Sequence, residues 1–177
     1  MLVSAERLSI RMVTADDADV LHKWLTDARV LEFYEGRDRP YTLEMVQEKF
    51  FAPDDDTQKC IAEYDGTPIG YIQFYPIEED ERVEFGYADR EVVYGMDQFI
   101  GEPAFWNQGI GTQLVTLLAE YLFARLGATV VVMDPQVRNV RALRCYEKCG
   151  FQQVRLLPRR ELHEGVLQDC WLIEKKR

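Results

Sequence analysis

Apolar and polar residues alternate over residues 8–13 (Leu-Ser-Ile-Arg-Met-Val), the two-residue period of a strand with one buried face. Thr14 and Asp16 then offer caps for a helix running through Trp24 and Leu25. Residues 27–34 read as a turn leading to Gly36 and Pro40. Thr42 opens a second helix carrying Glu44, Val46 and Phe50, which Pro53 and three aspartates close. Residues 60–64 and 68–75 flank Asp65-Gly66, and two strand-forming runs around Asp-Gly predict a hairpin. The acidic stretch 78–84 reads as a loop. Residues 91–100 read as a strand buried at Val92, Val93, Tyr94 and Met96. A long helix is expected over 109–126, with Leu114, Leu117, Leu118, Tyr121 and Leu122 on its apolar side. The β-branched run 129–133 has the character of a central strand. A helix over 141–148 stops at Gly150, and strands over about 154–162 and 166–173 join through Glu164-Gly165.

This order predicts an α/β layered domain with a mixed sheet, and no linker or repeat divides residues 1–177. A chain of 177 residues is long enough for one full hydrophobic core. The formal net charge of −10 removes nucleic acid from the expected partners, because phosphate neutralisation needs a basic surface; it suits a cationic partner. No apolar run approaches the ~20 residues of a membrane span. Residues 1–7 lack the apolar core of a signal peptide, so a cytoplasmic protein, monomer or homodimer, is expected. Cys60, Cys145, Cys149 and Cys170 form no CxxC pair, and His22 and His163 are far apart, so no metal is expected. Cys145 and Cys149 stand one helical turn apart and read as helix packing.

Chemistry enters at Trp106-Asn107-Gln108-Gly109-Ile110-Gly111-Thr112. Two glycines open a helix whose first N–H groups lack intrahelical partners and carry partial positive charge, a place for a diphosphate. The turn has neither the lysine of a nucleotide P-loop nor the third glycine of a dinucleotide fingerprint. A helix start with incidental glycines is the alternative. Further on, Asn139 caps a helix on which Ala142, Cys145, Tyr146 and Cys149 share a face.

The segment 108–112 together with Asn139-Val140-Arg141-Ala142-Leu143-Arg144-Cys145-Tyr146-Glu147-Lys148-Cys149-Gly150-Phe151 resembles the Gcn5-related N-acetyltransferase (GNAT) superfamily. Within it, residues 23–27, 30–34, 94–101 (Tyr-Gly-Met-Asp-Gln-Phe-Ile-Gly), Asp134-Pro135 and His163-Glu164-Gly165 resemble the aminoglycoside 6'-N-acetyltransferases, including the acetyltransferase half of bifunctional acetyltransferase–phosphotransferase resistance enzymes. The resemblance implies the GNAT fold, a mixed, mostly antiparallel sheet flanked by helices. It implies acetyl-CoA as co-substrate, a cationic aminoglycoside as acceptor, and antibiotic resistance as the outcome. Trp106 departs from the pattern, standing where the superfamily usually has Arg or Gln, so backbone donors and the helix end must hold the pyrophosphate.

By that resemblance Asp97 contacts the acetylated amine and serves as base, and Tyr146 protonates or stabilises the leaving thiolate. Phe99, Ile100, Gln108, Gly109, Ile110, Gly111, Thr112, Asn139 and Ala142 are expected around the coenzyme, with a backbone N–H after Asp97, such as that of Phe99, at the oxyanion. Glu32, Tyr34, Glu35, Gln73, Asp134, Glu164 and Asp169 are expected around the acceptor, since carboxylates and aromatic faces suit ammonium groups. An ordinary Asp pKa of about 3.9 is poorly matched to an ammonium, so Asp97 needs burial or a water relay. Each has a plainer role: Asp97 and Asp134 as turn residues, Tyr146 as core, the other acids as solvated surface. Two other functions stay open, a GNAT enzyme acting on another small amine or a protein N-terminus, and a non-catalytic acyl-CoA sensor.

Overall fold

The computed structural model describes residues 1–52 and 56–177; Pro53 and the two aspartates after it, expected to close the second helix, lie outside them. The chain lays down β1 (Val3–Ala5), β2 (Leu8–Met12), α1 (Ala18–Trp24), α2 (Ala28–Leu31), α3 (Leu43–Phe51), β3 (Gln58–Tyr64), β4 (Thr67–Pro76), α4 (Glu79–Phe85), β5 (Val93–Ile100), α5 (Ile110–Arg125), β6 (Val130–Met133), α6 (Val140–Lys148), β7 (Gln152–His163) and β8 (Val166–Lys176). The strands form one sheet in the order β1-β2-β3-β4-β5-β6-β8-β7. Every neighbouring pair is antiparallel except β5 and β6.

Strand alternation sorts the core into two faces. Cys60, Ala62, Ile72, Phe74, Val131 and Met133 pack with Leu114, Leu118 and Leu122 of α5. The interleaved Ile61 and Tyr71 pack instead with Leu21 and Trp24 of α1 and Val46 and Phe50 of α3. Val130 and Val132 of β6 join Leu157, Cys170 and Leu172 in a third cluster, against which Phe85 and Tyr87 pack. Complete burial of a Leu or Phe side chain contributes about 1.5–3 kcal/mol, so these faces hold the layers together.

The hairpin, the second helix cap and the helix stop form as their residues dictate. Thr42 accepts from the Met45 N–H at 3.2 Å. After α6, Gly150 takes φ 89°, and Phe151 N–H closes on the Tyr146 carbonyl at 3.0 Å, a Schellman-type end.

Four expectations change. Residues 79–85 are helix α4 and not loop: three acids sit in its first turn, where the helix dipole favours them, and Gly86 ends it at φ 80°. Arg160, from β7, pairs with Glu81 at 3.0 Å and Glu84 at 2.9 Å, neutralising a run that looks repulsive in isolation. The turn after Asp27 contains the short helix α2, with the Asp27 carboxylate accepting from the Arg29 N–H at 2.9 Å. Val92 precedes β5 and is 41% exposed. The first helix starts as a 3-10 turn at Ala15–Asp17, and Asp17, not Asp16, accepts from the Thr14 N–H at 2.8 Å while Arg11 grips both its oxygens at 2.7 Å. Strand β1, three residues long, is too short to show a period.

Candidate active site

The site begins at a fork in the sheet. β5 and β6 pair only over Val93–Gly95 and Val130–Val132. β5 continues alongside β4 as far as Gly70 opposite Ile100, so from Met96 onward its other edge has no strand partner. Two cavities occupy the region of the fork. One, of about 610 Å³, is lined by Gly109, Gly111 and Thr112 at the start of α5, by residues of α6, and by Gln98, Phe99 and Ile100. The other, of about 390 Å³, is lined by Asp97, Gln73, Asp134, Glu35, Lys49 and Glu161 among others. Phe33, Tyr34, Gln98, Asn139 and Tyr146 line both and mark where they meet.

The larger cavity fits a phosphate-bearing chain. Gly109 takes φ 78° and has no side chain to cap α5. The first intrahelical bond is Gln113 N–H to the Gly109 carbonyl at 3.1 Å, so the N–H groups of residues 110–112 are left for a ligand. Trp106 anchors its indole N–H on the Ile100 carbonyl at 2.8 Å, and the Arg141 guanidinium lies 4.5 Å from the centre of its ring. A cation from α6 therefore stands over the aromatic of the turn, in the wall of the larger cavity. Arg144 and Lys148 line the same cavity.

Asp97 and Gln73 are direct cross-strand partners, and Gln73 Nε2 donates to Asp97 Oδ2 at 2.9 Å. Tyr75 Oη donates to the same oxygen at 3.2 Å. Gly95 makes this possible: a Cβ there would lie 2.5 Å from the Tyr75 ring, which crosses over it. Burial pushes the Asp97 carboxyl up to about 6; the Asp134 charge adds to this, and the two hydrogen bonds and Lys49 oppose it.

Tyr146, on α6, accepts from Gln98 Nε2 at 2.7 Å, which leaves its own O–H as a donor. Burial holds its phenol well above the ordinary value, so it stays protonated at neutral pH. Gln98 Oε1 is buried without a partner at this junction. Cys145 stands at the other end, its Sγ 3.5 Å from Thr112 Oγ1, and lines only the larger cavity.

Residues 13–158 match the acetyltransferase (GNAT) domain family. The chain belongs to the GNAT acetyltransferases. It is 34% identical over 161 residues to the aminoglycoside N(6')-acetyltransferase type 1 of Klebsiella pneumoniae, covering 85% of this chain and 76% of that one. The solved structure of AAC(6')-Ib in complex with ribostamycin and coenzyme A superposes with a TM-score of 0.76 at 29% identity, over 97% of this chain and 94% of that one. Spermidine N-acetyltransferase from Vibrio cholerae shares the fold, with a TM-score of 0.77 at 18% identity over 96% of this chain and 95% of that one.

Within this GNAT fold the residues singled out in the sequence separate into those that meet at the fork and those that do not. Phe99, Ile100, Gly109, Gly111, Thr112, Asn139, Ala142 and Tyr146 line the larger cavity; Ile110 is buried in the core, and Gln108 lies outside, its amide on the Ala104 carbonyl. Tyr34, Glu35, Gln73, Asp97 and Asp134 line the smaller one. Asp97 is the fifth of eight residues in β5 and does not end the strand. Asp134 follows β6, but Arg160 Nε already donates to its Oδ2 at 3.1 Å.

Glu32, Glu164 and Asp169 line neither cavity. Glu164 is held by Arg37 at 2.6 and 2.8 Å, which pulls its carboxyl down to about 2. The Asp169 carboxylate accepts from the Arg159 N–H at 2.8 Å. Glu32 contributes its carbonyl to Arg138, whose guanidinium reaches Gln136 at 2.7 Å; Gln136 in turn reaches Glu161 at 2.9 Å. That chain of contacts ties three segments into the wall of the smaller cavity. Lys49, Tyr75, Gln98, Gln136 and Arg160 were not singled out beforehand. Lys49 carried a signal, lying three residues after the buried Val46 and so sharing its helix face, and Gln98 lies within the 94–101 block that carries the resemblance.

Proposed function

We propose that this GNAT enzyme transfers acetyl from acetyl-CoA directly to the 6'-amine of an aminoglycoside in a ternary complex, and that the outcome is aminoglycoside resistance. The carrying observation is the pair of cavities meeting at Gln98, Asn139 and Tyr146, with Asp97 on the side away from the phosphate-binding turn. The thioester belongs at the junction, the phosphates at the start of α5 and at Arg141, and the amine beside Asp97.

Asp97 holds the incoming ammonium and takes its proton, directly or through water. A carboxyl near 6 is a better acceptor than one near 3.8, and it is still ionised at neutral pH. The neutral amine attacks the thioester carbonyl, and backbone N–H groups along the unpartnered edge of β5 stabilise the oxyanion. The C–S bond then breaks, with the Tyr146 O–H donating toward the departing sulfur. Direct transfer suits this layout because Cys145 lines only the coenzyme side. The protein draws on the cytoplasmic acetyl-CoA pool in this reading; among the described residues no helix is long and apolar enough to cross a membrane.

The test is thiol release from acetyl-CoA with kanamycin as acceptor and spermidine as comparison, followed by mass mapping of the product. Acetylation of kanamycin at the 6'-nitrogen is expected. Turnover with spermidine and none with kanamycin would assign the site to another amine.

A further inference from the structure

Six charged side chains line the smaller cavity: Glu35, Arg39, Lys49, Asp97, Asp134 and Glu161. Most of its acids are already occupied from within. The Lys49 ammonium holds the Glu35 carboxylate and also donates to Tyr41 Oη at 3.0 Å. Arg160 holds Asp134 at 3.1 Å, and the Gln136 amide takes Glu161 at 2.9 Å. Asp97 and Glu161 are hydrogen-bonded only by neutral groups, Asp97 by Gln73 and Tyr75, and Glu161 is the more exposed of the two at 41%. An incoming ammonium therefore finds two carboxylates bonded only by neutral groups, and Asp97 is the one next to Gln98, where the two cavities meet.

The Glu35 end of the cavity is different. Lys49 Nζ lies 5.6 Å from the centre of the Tyr34 ring and 5.5 Å from that of Tyr41, a half-buried cation between aromatic faces. Tyr34, backed by Phe99 at 4.6 Å, is a wall of both cavities. A second ammonium brought here meets a resident one in a setting that screens charge less than water does. A hydroxyl meets Lys49 as a hydrogen-bond donor and Glu35 as an acceptor, with no repulsion.

We propose that Lys49 sets acceptor specificity: by neutralising Glu35 it makes the cavity prefer, on the ring that offers its amine to Asp97, a hydroxyl over a second ammonium. This rests on the aminoglycoside reading of the site. Kanamycin A and kanamycin B are suitable probes, since they differ on that ring by a hydroxyl against an amine. Their Kd values are measured by titration calorimetry with coenzyme A present, so that discrimination is read whether or not acetyl moves. Lys49→Met keeps the apolar stem and removes the charge; it should shift the Kd ratio toward kanamycin B by about tenfold, because Glu35 becomes an unpaired carboxylate. Glu35→Gln leaves Lys49 unpaired and should shift the ratio the other way, by about threefold.

A merely structural pair would weaken both ligands alike in both variants, and an unmoved ratio in either folded variant overturns the proposal. Should Lys49→Met fail to fold, the direction of the Glu35→Gln shift decides. Binding of neither kanamycin to the unmodified protein overturns this inference and the aminoglycoside reading together. Binding with the expected ratios but no acetyl transfer defeats the functional reading alone.

Discussion

The two cavities at the fork are built in opposite ways. The larger one is made largely of two continuous segments, residues 105–115 and 139–148, and at the start of α5 it offers backbone N–H groups and glycine space. The smaller one draws single side chains from α3, β4, β5, β7 and the loops around them, joined by ion pairs and amide contacts. In the proposed reading the first holds acetyl-CoA, the part of the reaction that every acetyl-CoA enzyme shares. The second can be altered one side chain at a time, and the proposed reading puts selectivity for an acceptor there.

The division is broken most severely at Asp97. Asp97→Asn should lower kcat/KM by about a thousandfold in the kanamycin assay while the Kd for acetyl-CoA stays within twofold. The acid limb of the pH profile, expected near 6 in the unmodified enzyme, should vanish in the variant. Stability should move the other way. The folded carboxyl titrates near 6 against an ordinary 3.8, so its contribution is fully present below about 3.8 and is lost as pH rises through 6. Removing the ionisable group then stabilises the fold at pH 7.5, by at most about 3 kcal/mol, read as a higher Tm. Undiminished turnover in Asp97→Asn would end the assignment.

Tyr146→Phe tests the junction. It should cut kcat about thirtyfold with little change in acetyl-CoA affinity, since the lost group is a proton donor and the ring still packs. A variant that cannot bind the coenzyme would make Tyr146 a binding residue first. At the phosphate end, Arg141→Gln should weaken acetyl-CoA binding about tenfold by calorimetry and leave kcat at saturation nearly unchanged. Equal affinity of variant and parent would return the pyrophosphate to the backbone alone. The smallest effect belongs to Glu164→Gln. Its carboxylate is held by Arg37 outside both cavities, so KM for kanamycin should change less than twofold. A tenfold rise would place Glu164 in the acceptor site after all.

What was legible in the chain follows the same division. The turn at 108–112 and the segment 139–151 made the family readable because a glycine turn, a helix cap and a helix stop are written in neighbouring residues. The hairpin at Asp65-Gly66 and the stop at Gly150 were readable for the same reason. The acidic run that became α4 was not, because its neutralising partner, Arg160, arrives from a strand more than seventy residues later. Glu164 and Asp169 read as acceptor ligands because a carboxylate in isolation looks available; Arg37 and the Arg159 N–H claim them only after folding.

By itself the sequence determined the family, the strand and helix order around the coenzyme turn, and the identity of Asp97 and Tyr146 as candidates for the chemistry. Period, caps and glycines act over a few residues, and a motif carries them whole. Only the tertiary structure decided which acids have a cation partner, that Arg141 supplies a cation over Trp106, and that Lys49 stands in the wall of the smaller cavity. Those outcomes depend on distances between segments far apart in the chain, and on the burial that makes each charge there costly to leave without a partner.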